Sequence, residues 1–220
     1  MSLRRYKNLS ANFNYELQFA KGTGSASGNN FDIAWQQGSK GHFPKFQMPL
    51  SFEQRHTGTL NLDYRLGEDA PVYLRYAGVN LIYQFTSGNP YTLMKVLGDM
   101  PHDGRYDNEG ISQTPVSDVN GETTPWTSRL DLKIDKGFDI LNTRLTAYIW
   151  VRNLLNTRNV RDVWISTGLP NDTGYRSTPA GEQAWESWTE QERRLFLMRE
   201  WDPYNYGTPR QIRLGLQLEI

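Results

Sequence analysis

The chain has 220 residues, with 24 Lys and Arg against 24 Asp and Glu, and it contains no cysteine. The balanced charge argues against a nucleic-acid-binding protein, and the lack of thiols excludes disulfides and thiolate metal sites. Only 37% of the residues are apolar and no run of eighteen apolar residues occurs, so no transmembrane helix is expected. Membrane strands stay possible, because their polar and apolar residues alternate.

Six segments alternate between apolar and polar side chains with a period of two, which predicts β-strands. In chain order they cover residues 9–19, 59–66, 77–86, 129–138, 144–152 and 211–220. At about ten residues they exceed the usual five or six of globular strands. A tilted membrane strand needs roughly nine to eleven residues. The pattern therefore predicts an all-β antiparallel meander of about six long strands that belongs to a transmembrane β-barrel.

The last strand carries the clearest pattern, since its alternation continues to the final residue of the sequence. Its apolar row consists of Ile212, Leu214, Leu216, Leu218 and Ile220. The apolar row at the very end predicts a barrel-closing strand embedded in a membrane.

The connections between the predicted strands alternate between short and long. Residues 67–71 and 137–142 read as tight turns, whereas 21–54, 89–125 and 155–207 are long. Outer-membrane barrels have short periplasmic turns and long extracellular loops. In the last loop, Thr189 and Glu192 have the spacing of a helix capping box. They predict a short loop helix that either packs the loop against itself or forms a lid over a pore.

Five short runs, in order along the chain, resemble the C-terminal β-barrel portion of TonB-dependent outer-membrane receptors. The runs are F-E-Q-R-H (52–56), S-G-N-P-Y (87–91), L-D-L (130–132), V-R-N-L-L-N (151–156) and Y-G-T-P-R (206–210). The resemblance covers essentially the whole chain, residues 1–220. One departure is the final residue, Ile220, where the family generally has an aromatic side chain that its assembly machinery reads.

The resemblance implies a bacterial outer-membrane receptor whose barrel has about 22 strands around a plugged lumen. The intact protein would bind a scarce nutrient at its extracellular loops and import it with energy from the TonB complex. Its partners would be outer-membrane lipid, the plug domain, the remaining barrel strands, the TonB complex, the barrel assembly machinery and a small nutrient. The sequence shows no plug domain, TonB box or signal peptide, so a barrel fragment is expected.

The sequence predicts neither an enzyme nor a cofactor, because it has no phosphate-binding glycine loop and no nucleophile beside a base. The candidate ligand contacts are loop or rim residues in the family-like runs and the polar strand face. They are Arg55, His56, Tyr91, Trp150, Arg152, Asn153 and Arg210. Each also has a structural interpretation, as a turn former, a packing residue or an ion-pair partner. No metal site is predicted, because the acidic loop at 99–109 lacks the regular ligand spacing of a calcium loop.

Two alternatives stay open. The first is a soluble β-sandwich that binds carbohydrate through tryptophans outside the alternating segments. These are Trp126, Trp164, Trp185, Trp188 and Trp201. The second is a passive structural or adhesive barrel. A sandwich would bury the apolar strand faces against a second sheet, whereas a barrel segment would leave them facing outward.

Overall fold

The computed structural model describes residues 2–24, 47–96, 115–140 and 143–219. Its strands are β1 (Ser2–Tyr6), β2 (Leu9–Leu17), β3 (Lys21–Gly22), β4 (Met48–Pro49), β5 (His56–Arg65), β6 (Ala77–Thr86), β7 (Pro90–Tyr91), β8 (Glu122–Thr123), β9 (Thr127–Ile140), β10 (Thr143–Arg152) and β11 (Gln211–Glu219). Two α-helices, α1 (Pro179–Ser187) and α2 (Glu190–Glu200), lie between β10 and β11, with 3-10 turns at Tyr175–Ser177 and Pro203–Asn205.

Seven strands form one antiparallel sheet in the order β1-β2-β5-β6-β9-β10-β11. The six long strands are those that the alternation predicts, so the antiparallel meander is confirmed. Strand β1 was missed, because its sequence S-L-R-R-Y does not alternate. The pairs β3–β4 and β7–β8 form two separate two-residue ladders within the connections.

The strand registers place the alternating apolar row of each long strand on one face of the sheet, while Ile82 pairs with Asn61 and Asp131 on the opposite face. One cross-strand row joins Phe13, Leu60, Tyr83 and Leu130. The side-chain period of two then assigns the polar residues to the opposite face. We call these two surfaces the apolar face and the polar face.

The apolar face is open to the surroundings. On β11, Leu214 is 76% exposed and Leu216 is 71% exposed. Among the described residues, no helix and no second sheet covers this face. The described part of the chain therefore lacks the second layer that the β-sandwich alternative requires.

On the polar face, ion pairs and amide hydrogen bonds connect residues of neighbouring strands. Arg65 Nη1 lies 3.0 Å from Asp135 Oδ2, and Asn80 Nδ2 donates to Asn61 Oδ1 at 2.8 Å. Cross-strand polar pairs of this kind contribute to the stability of the sheet. The charged residues that alternate along the strands thus meet one another across the sheet.

Two predicted turns differ in extent from the structure. The predicted five-residue turn between β5 and β6 occupies residues 66–76 and contains a helical turn in which Arg75 N donates to Pro71 O at 2.9 Å. The predicted turn at 137–142 is shorter, since β9 continues to Ile140. Gly137 stays in the ladder because it pairs with Thr146.

The predicted helix near Thr189 is confirmed as α2, with both halves of its capping box formed. Helix α1 was missed, although Thr178 before Pro179 is a recognisable start signal. In the described part of the chain, neither helix has the length and apolar character to cross a membrane.

Candidate functional site

The three long connections leave the same edge of the sheet. They follow β2, β6 and β10 and return at β5, β9 and β11. This arrangement follows from the antiparallel meander, in which every second connection lies on the same side. We call this side the loop edge, and it holds the candidate ligand contacts in the connections.

An aromatic cluster lies on the apolar face at the loop edge. Tyr15 Oη is hydrogen-bonded to His56 Nδ1 at 2.7 Å, and the His56 and Trp126 rings stack with centroids 5.4 Å apart. Phe85 stacks on Trp126 at 6.4 Å, and a Cβ at Gly58 would lie 2.2 Å from Phe85 Cζ. Glycine at 58 therefore leaves space for that ring. His56 belongs to this cluster and not to the polar face.

The turn after β10 is organised by Asn153, which is only 2% exposed. Its φ of 53° lies in the left-handed region, which asparagine tolerates better than most residues. Its Oδ1 accepts from Thr157 N at 2.9 Å, and its Nδ2 donates to the carbonyls of Thr157 and Thr208. Its own N–H donates to Asp131 Oδ1 at 2.9 Å. Asn153 thus joins β9, the turn and the segment that enters β11.

The second asparagine of the V-R-N-L-L-N run, Asn156, also has a left-handed φ of 53°. Its Oδ1 accepts from Arg210 N at 3.0 Å, which links the turn to the Y-G-T-P-R run. The exposed Arg210 side chain reaches back to Leu154 O at 3.4 Å. The two family-like runs therefore contact each other and form the rim of the sheet at this edge.

Residues 157–207 form a compact loop unit with its own buried centre. Trp164 is 2% exposed, and its indole Nε1 donates to Glu200 O at 3.2 Å. The Glu200 carboxylate is 1% exposed and accepts from Thr173 N at 3.1 Å and Thr173 Oγ1 at 2.8 Å. Arg176 Nε lies at an ion-pair distance of 3.3 Å from its other oxygen. These contacts fix the end of α2 against Trp164 and the 173–176 segment.

Aromatic packing joins the two helices of the loop unit. The Phe196 ring of α2 lies 5.1 Å from Trp188 and 5.9 Å from Tyr175, and Trp185 contacts both Trp188 and Phe196. Helix α2 therefore packs the loop against itself, as one of the two interpretations predicts. The five tryptophans of the carbohydrate-binding alternative are divided between this core, the buried Trp164, the apolar-face cluster and the exposed Trp201. They do not form a common platform.

The S-G-N-P-Y run shapes the second long connection. A Cβ on Gly88 would lie 1.6 Å from the Thr124 carbonyl oxygen, so only glycine allows this close approach. Tyr91 follows in the β7–β8 ladder opposite Glu122. Partial burial, and then the Glu122 charge, raise the pKa of Tyr91 above its ordinary value. Tyr91 lies in this ladder and does not line the cavity described below.

On the polar face, the half-buried Trp150 lies between two arginines. The guanidinium carbons of Arg152 and Arg213 are 5.6 Å and 5.5 Å from the centroid of the indole ring. Cation–π contacts of this kind orient guanidinium groups without neutralising their charge. Trp150 and Arg152, both predicted to contact a ligand, are therefore direct neighbours.

A cavity of about 260 Å³ opens where the polar face meets the loop edge. Its lining combines strand ends, the rim and the start of the loop unit. The lining residues are Gln84, Phe85, Thr86, Thr127, Ser128, Arg129, Arg152, Asn153, Asn159, Arg161, Gly207, Thr208, Pro209 and Gln211. Three arginines and no acidic residue are among them, so the charged side chains of the lining are all positive.

Of the predicted ligand contacts, Arg152 and Asn153 line this cavity, while Trp150 and Arg210 lie beside it. Arg55 lies elsewhere, where it pairs with the buried Glu53 at 3.1 Å and stands over Phe19. That the predicted residues contact a ligand stays a prediction. Sequence reasoning missed Arg129 as a site residue, although its position in an alternating strand assigns it to the polar face. Nothing in the sequence singled out Arg161.

No group of three acidic, histidine or cysteine residues suited to a metal occurs in the parts of the chain that the structure describes. The acidic loop at 99–109 lies outside the described residues. So does Ile220, the last member of the predicted closing row. The other four members lie on β11 with Ile212, Leu214, Leu216 and Leu218 exposed on the apolar face.

No protein-family model, no curated protein and no solved structure matches this chain. The resemblance to TonB-dependent receptors therefore stays a prediction.

Proposed function

We propose that this chain forms part of the transmembrane barrel of an outer-membrane receptor of the TonB-dependent type. The observation that carries the proposal is the apolar face, which continues across six long strands and has no cover in the described structure. Water-soluble proteins rarely expose contiguous apolar patches of more than a few hundred Å². Exposure of such a face is favourable in lipid, because lipid tails are themselves apolar.

The strand dimensions suit a bilayer. Strands β6 and β10 each have ten residues. At roughly 3.3 Å per residue and a tilt of about 40°, ten residues rise about 25 Å, which is the height of the apolar band of outer-membrane barrels. The fourteen residues of β9 extend beyond that height.

The aromatic cluster at the loop edge supports the same proposal. Tyr15, Phe85 and Trp126 lie on the apolar face near the end of their strands, beside the long loops. Barrels carry aromatic girdles of this kind where the apolar band meets the headgroups. The loop edge then faces the outside of the cell, and the short turns face the periplasm.

The receptor function rests on the cavity and the loop unit at that outer side. Nutrient receptors bind their ligands in concave surfaces where a few polar groups converge. The polar face would line the interior of the barrel, where the cavity with Arg152 and Arg129 opens. Additional strands beside β1 and β11, and a plug, would complete the barrel and couple it to the TonB complex.

The membrane part of the proposal can be tested residue by residue, because the chain has no cysteine. Single cysteines at Leu214, Leu216, Arg213 and Gln217, each spin-labelled in protein reconstituted into phospholipid vesicles, report contact with lipid or water. We expect labels at 214 and 216 to be accessible to oxygen in the bilayer. Labels at 213 and 217 should be accessible to a water-soluble nickel chelate.

Two results would contradict the proposal. If all four labels were in contact with water, the sheet would lie outside the bilayer. If labels at 214 and 216 were shielded from both reagents, a protein layer would cover the apolar face, as in a soluble sandwich. Import is tested separately, by energy-dependent uptake of candidate nutrients. Cells that express the unchanged protein are compared with cells that express a variant without residues 157–207.

A further inference from the structure

The arginines that line the cavity differ in how their charges are neutralised. Arg129 Nη2 donates to Gln84 Oε1 at 2.8 Å, and its Nε lies 3.1 Å from Asp131 Oδ1 at ion-pair distance without the angle of a hydrogen bond. Asp131 is itself buried and accepts from Asn153 N. The charge of Arg129 is therefore compensated within the protein.

Within the described residues, the other two arginines have no such partner. In the described part of the chain, neither Arg152 nor Arg161 has a carboxylate oxygen within 4.0 Å. Arg152 contacts the Trp150 ring, which does not cancel its charge. The cavity lining thus includes two arginines whose charges have no carboxylate partner among the described residues, and an anion that enters the cavity would be attracted by both.

The segment that carries Arg161 is fixed to the sheet. Asn159 Oδ1 accepts from Ser128 N at 2.9 Å, and Asn159 Nδ2 donates to Ser128 O at 2.8 Å. Gly207 N donates to Asn159 O at 2.7 Å, and Arg161 N donates to Asn205 O at 2.8 Å. Because the backbone around Arg161 is held at these points, ligand binding would need ordering of side chains but not of this backbone segment.

We propose that this cavity binds a small anion, or the anionic end of a larger nutrient, that carries carboxylate or phosphate groups. Arginine forms a planar donor fork that matches both groups. Arg152 and Arg161 would hold the anion, while Arg129 and Asn153 are positioning residues. A volume of about 260 Å³ suits the charged end of a ligand. The inference rests on the proposed function, since it names the ligand class of the receptor.

The test uses the full chain, folded in detergent micelles, with citrate and inorganic phosphate as separate probes and erythritol as a neutral control. Binding is measured by isothermal titration calorimetry at low ionic strength. We expect one or both anions to bind with 1:1 stoichiometry and erythritol not to bind. Which anion binds more tightly identifies carboxylate or phosphate as the preferred group. Added NaCl should weaken the binding, because part of it is electrostatic.

Arg152→Gln and Arg161→Gln should each weaken binding of the anion by about tenfold to a hundredfold, the value of one charge-assisted contact. Arg158→Gln is the matched control. It removes the same charge from an exposed side chain three residues before Arg161 that does not line the cavity. It should change the affinity by less than about twofold, because its charge interacts with the bound anion only through solvent, where salt screens the interaction.

The inference is overturned if neither anion binds at concentrations up to about 10 mM, a weak limit for specific binding. It is also overturned if Arg158→Gln weakens binding as much as Arg161→Gln. Correct folding of each variant is checked by comparing its circular dichroism spectrum in the same micelles with that of the unchanged chain. If Arg152→Gln does not fold, Arg161→Gln decides, because its side chain has no bond within the described structure. Failure of anion binding by a chain whose spin labels are in lipid would reject this inference and leave the proposed function intact.

Discussion

The sheet and the loop unit place their apolar residues in opposite surroundings. The sheet has six long strands, yet its large apolar side chains are half-buried or exposed. The loop unit, residues 157–207, has hardly any regular strand, yet it holds all four buried hydrophobic residues among those described: Val163, Trp164, Tyr175 and Phe196.

This difference is the one that the proposed membrane location of the sheet predicts. The loop unit buries its own aromatic side chains, as a domain in water must do. The sheet presents an apolar surface that water would penalise and lipid would not. Substitutions in the two regions should therefore have different effects on stability. Variants in each region can show whether the sheet and the loop unit unfold independently.

The largest effect is expected for Phe196→Ala in the loop unit. Removing this ring from Tyr175, Trp185 and Trp188 should destabilise the unit by about 3–5 kcal/mol. Hydrogen exchange with mass spectrometry should show loss of protection in 157–207 alone. The adjacent Leu195→Ala, at a side chain 58% exposed, is the control and should have little effect. Equal loss of protection in the sheet would mean that both regions unfold together.

The next effect distinguishes the two faces of β11. Leu216→Arg should cost about 2–4 kcal/mol in a bilayer, because the charge would face lipid near the centre of the strand. Gln217→Arg, one residue further, places the same charge on the polar face and should cost less than about 1 kcal/mol. Urea unfolding in phospholipid vesicles measures both. Equal destabilisation by the two variants would be incompatible with a lipid-facing apolar face.

A smaller effect is expected at the junction of the two regions. Asn153→Ala removes the side-chain bonds to Thr157 and Thr208 and leaves alanine in a left-handed conformation. We expect a loss of about 2 kcal/mol. Protection of the Thr157 amide should fall first, as measured by hydrogen exchange. Asn14→Ala, at an exposed position in β2, should be close to neutral. An unchanged Thr157 amide would show that Asn153 does not hold the junction.

The smallest effect concerns pH and the capping box of α2. The hydrogen bond from the Thr189 backbone N–H, followed by that from the Thr189 hydroxyl, lowers the pKa of Glu192 below its ordinary 4.5. Because the folded-state pKa is depressed, this contribution is complete above pH 4.5 and is lost as the pH falls through the folded-state value. Amide protection at the start of α2 should decline in that range.

In Glu192→Gln this acid-dependent decline should disappear, since no carboxylate is left to protonate. Glu186→Gln, at an exposed position in α1, should keep it. A decline that persists in Glu192→Gln would mean that another group controls the start of the helix.

Strand alternation and the capping box were readable in the sequence because both depend on neighbouring residues along the chain. The bounds of β6 agree with the prediction, and those of β10 differ by one residue. Thr189 and Glu192 are three residues apart, so their contact is local. In contrast, β1 and α1 were missed: the first has no alternation, and the second was visible only as Thr178 before Pro179.

The candidate site was only partly predictable for the same reason. Arg152 and Asn153 belong to one run, and their neighbours Arg129 and Arg161 reach the cavity from β9 and from the loop unit. Which distant residues share a cavity depends on how the loop folds back onto the rim. Charges that are far apart in sequence leave no periodic signal, so Arg161 could not be recognised beforehand.

By itself, the sequence determined the strands, their two faces and the side on which the long connections lie, because a period of two and chain order specify these features. Only the tertiary structure decided that nothing among the described residues covers the apolar face, that the tryptophans are dispersed, and that two unpaired arginines share one cavity. These features arise from how segments that are not adjacent in the sequence pack together, and no local pattern encodes them.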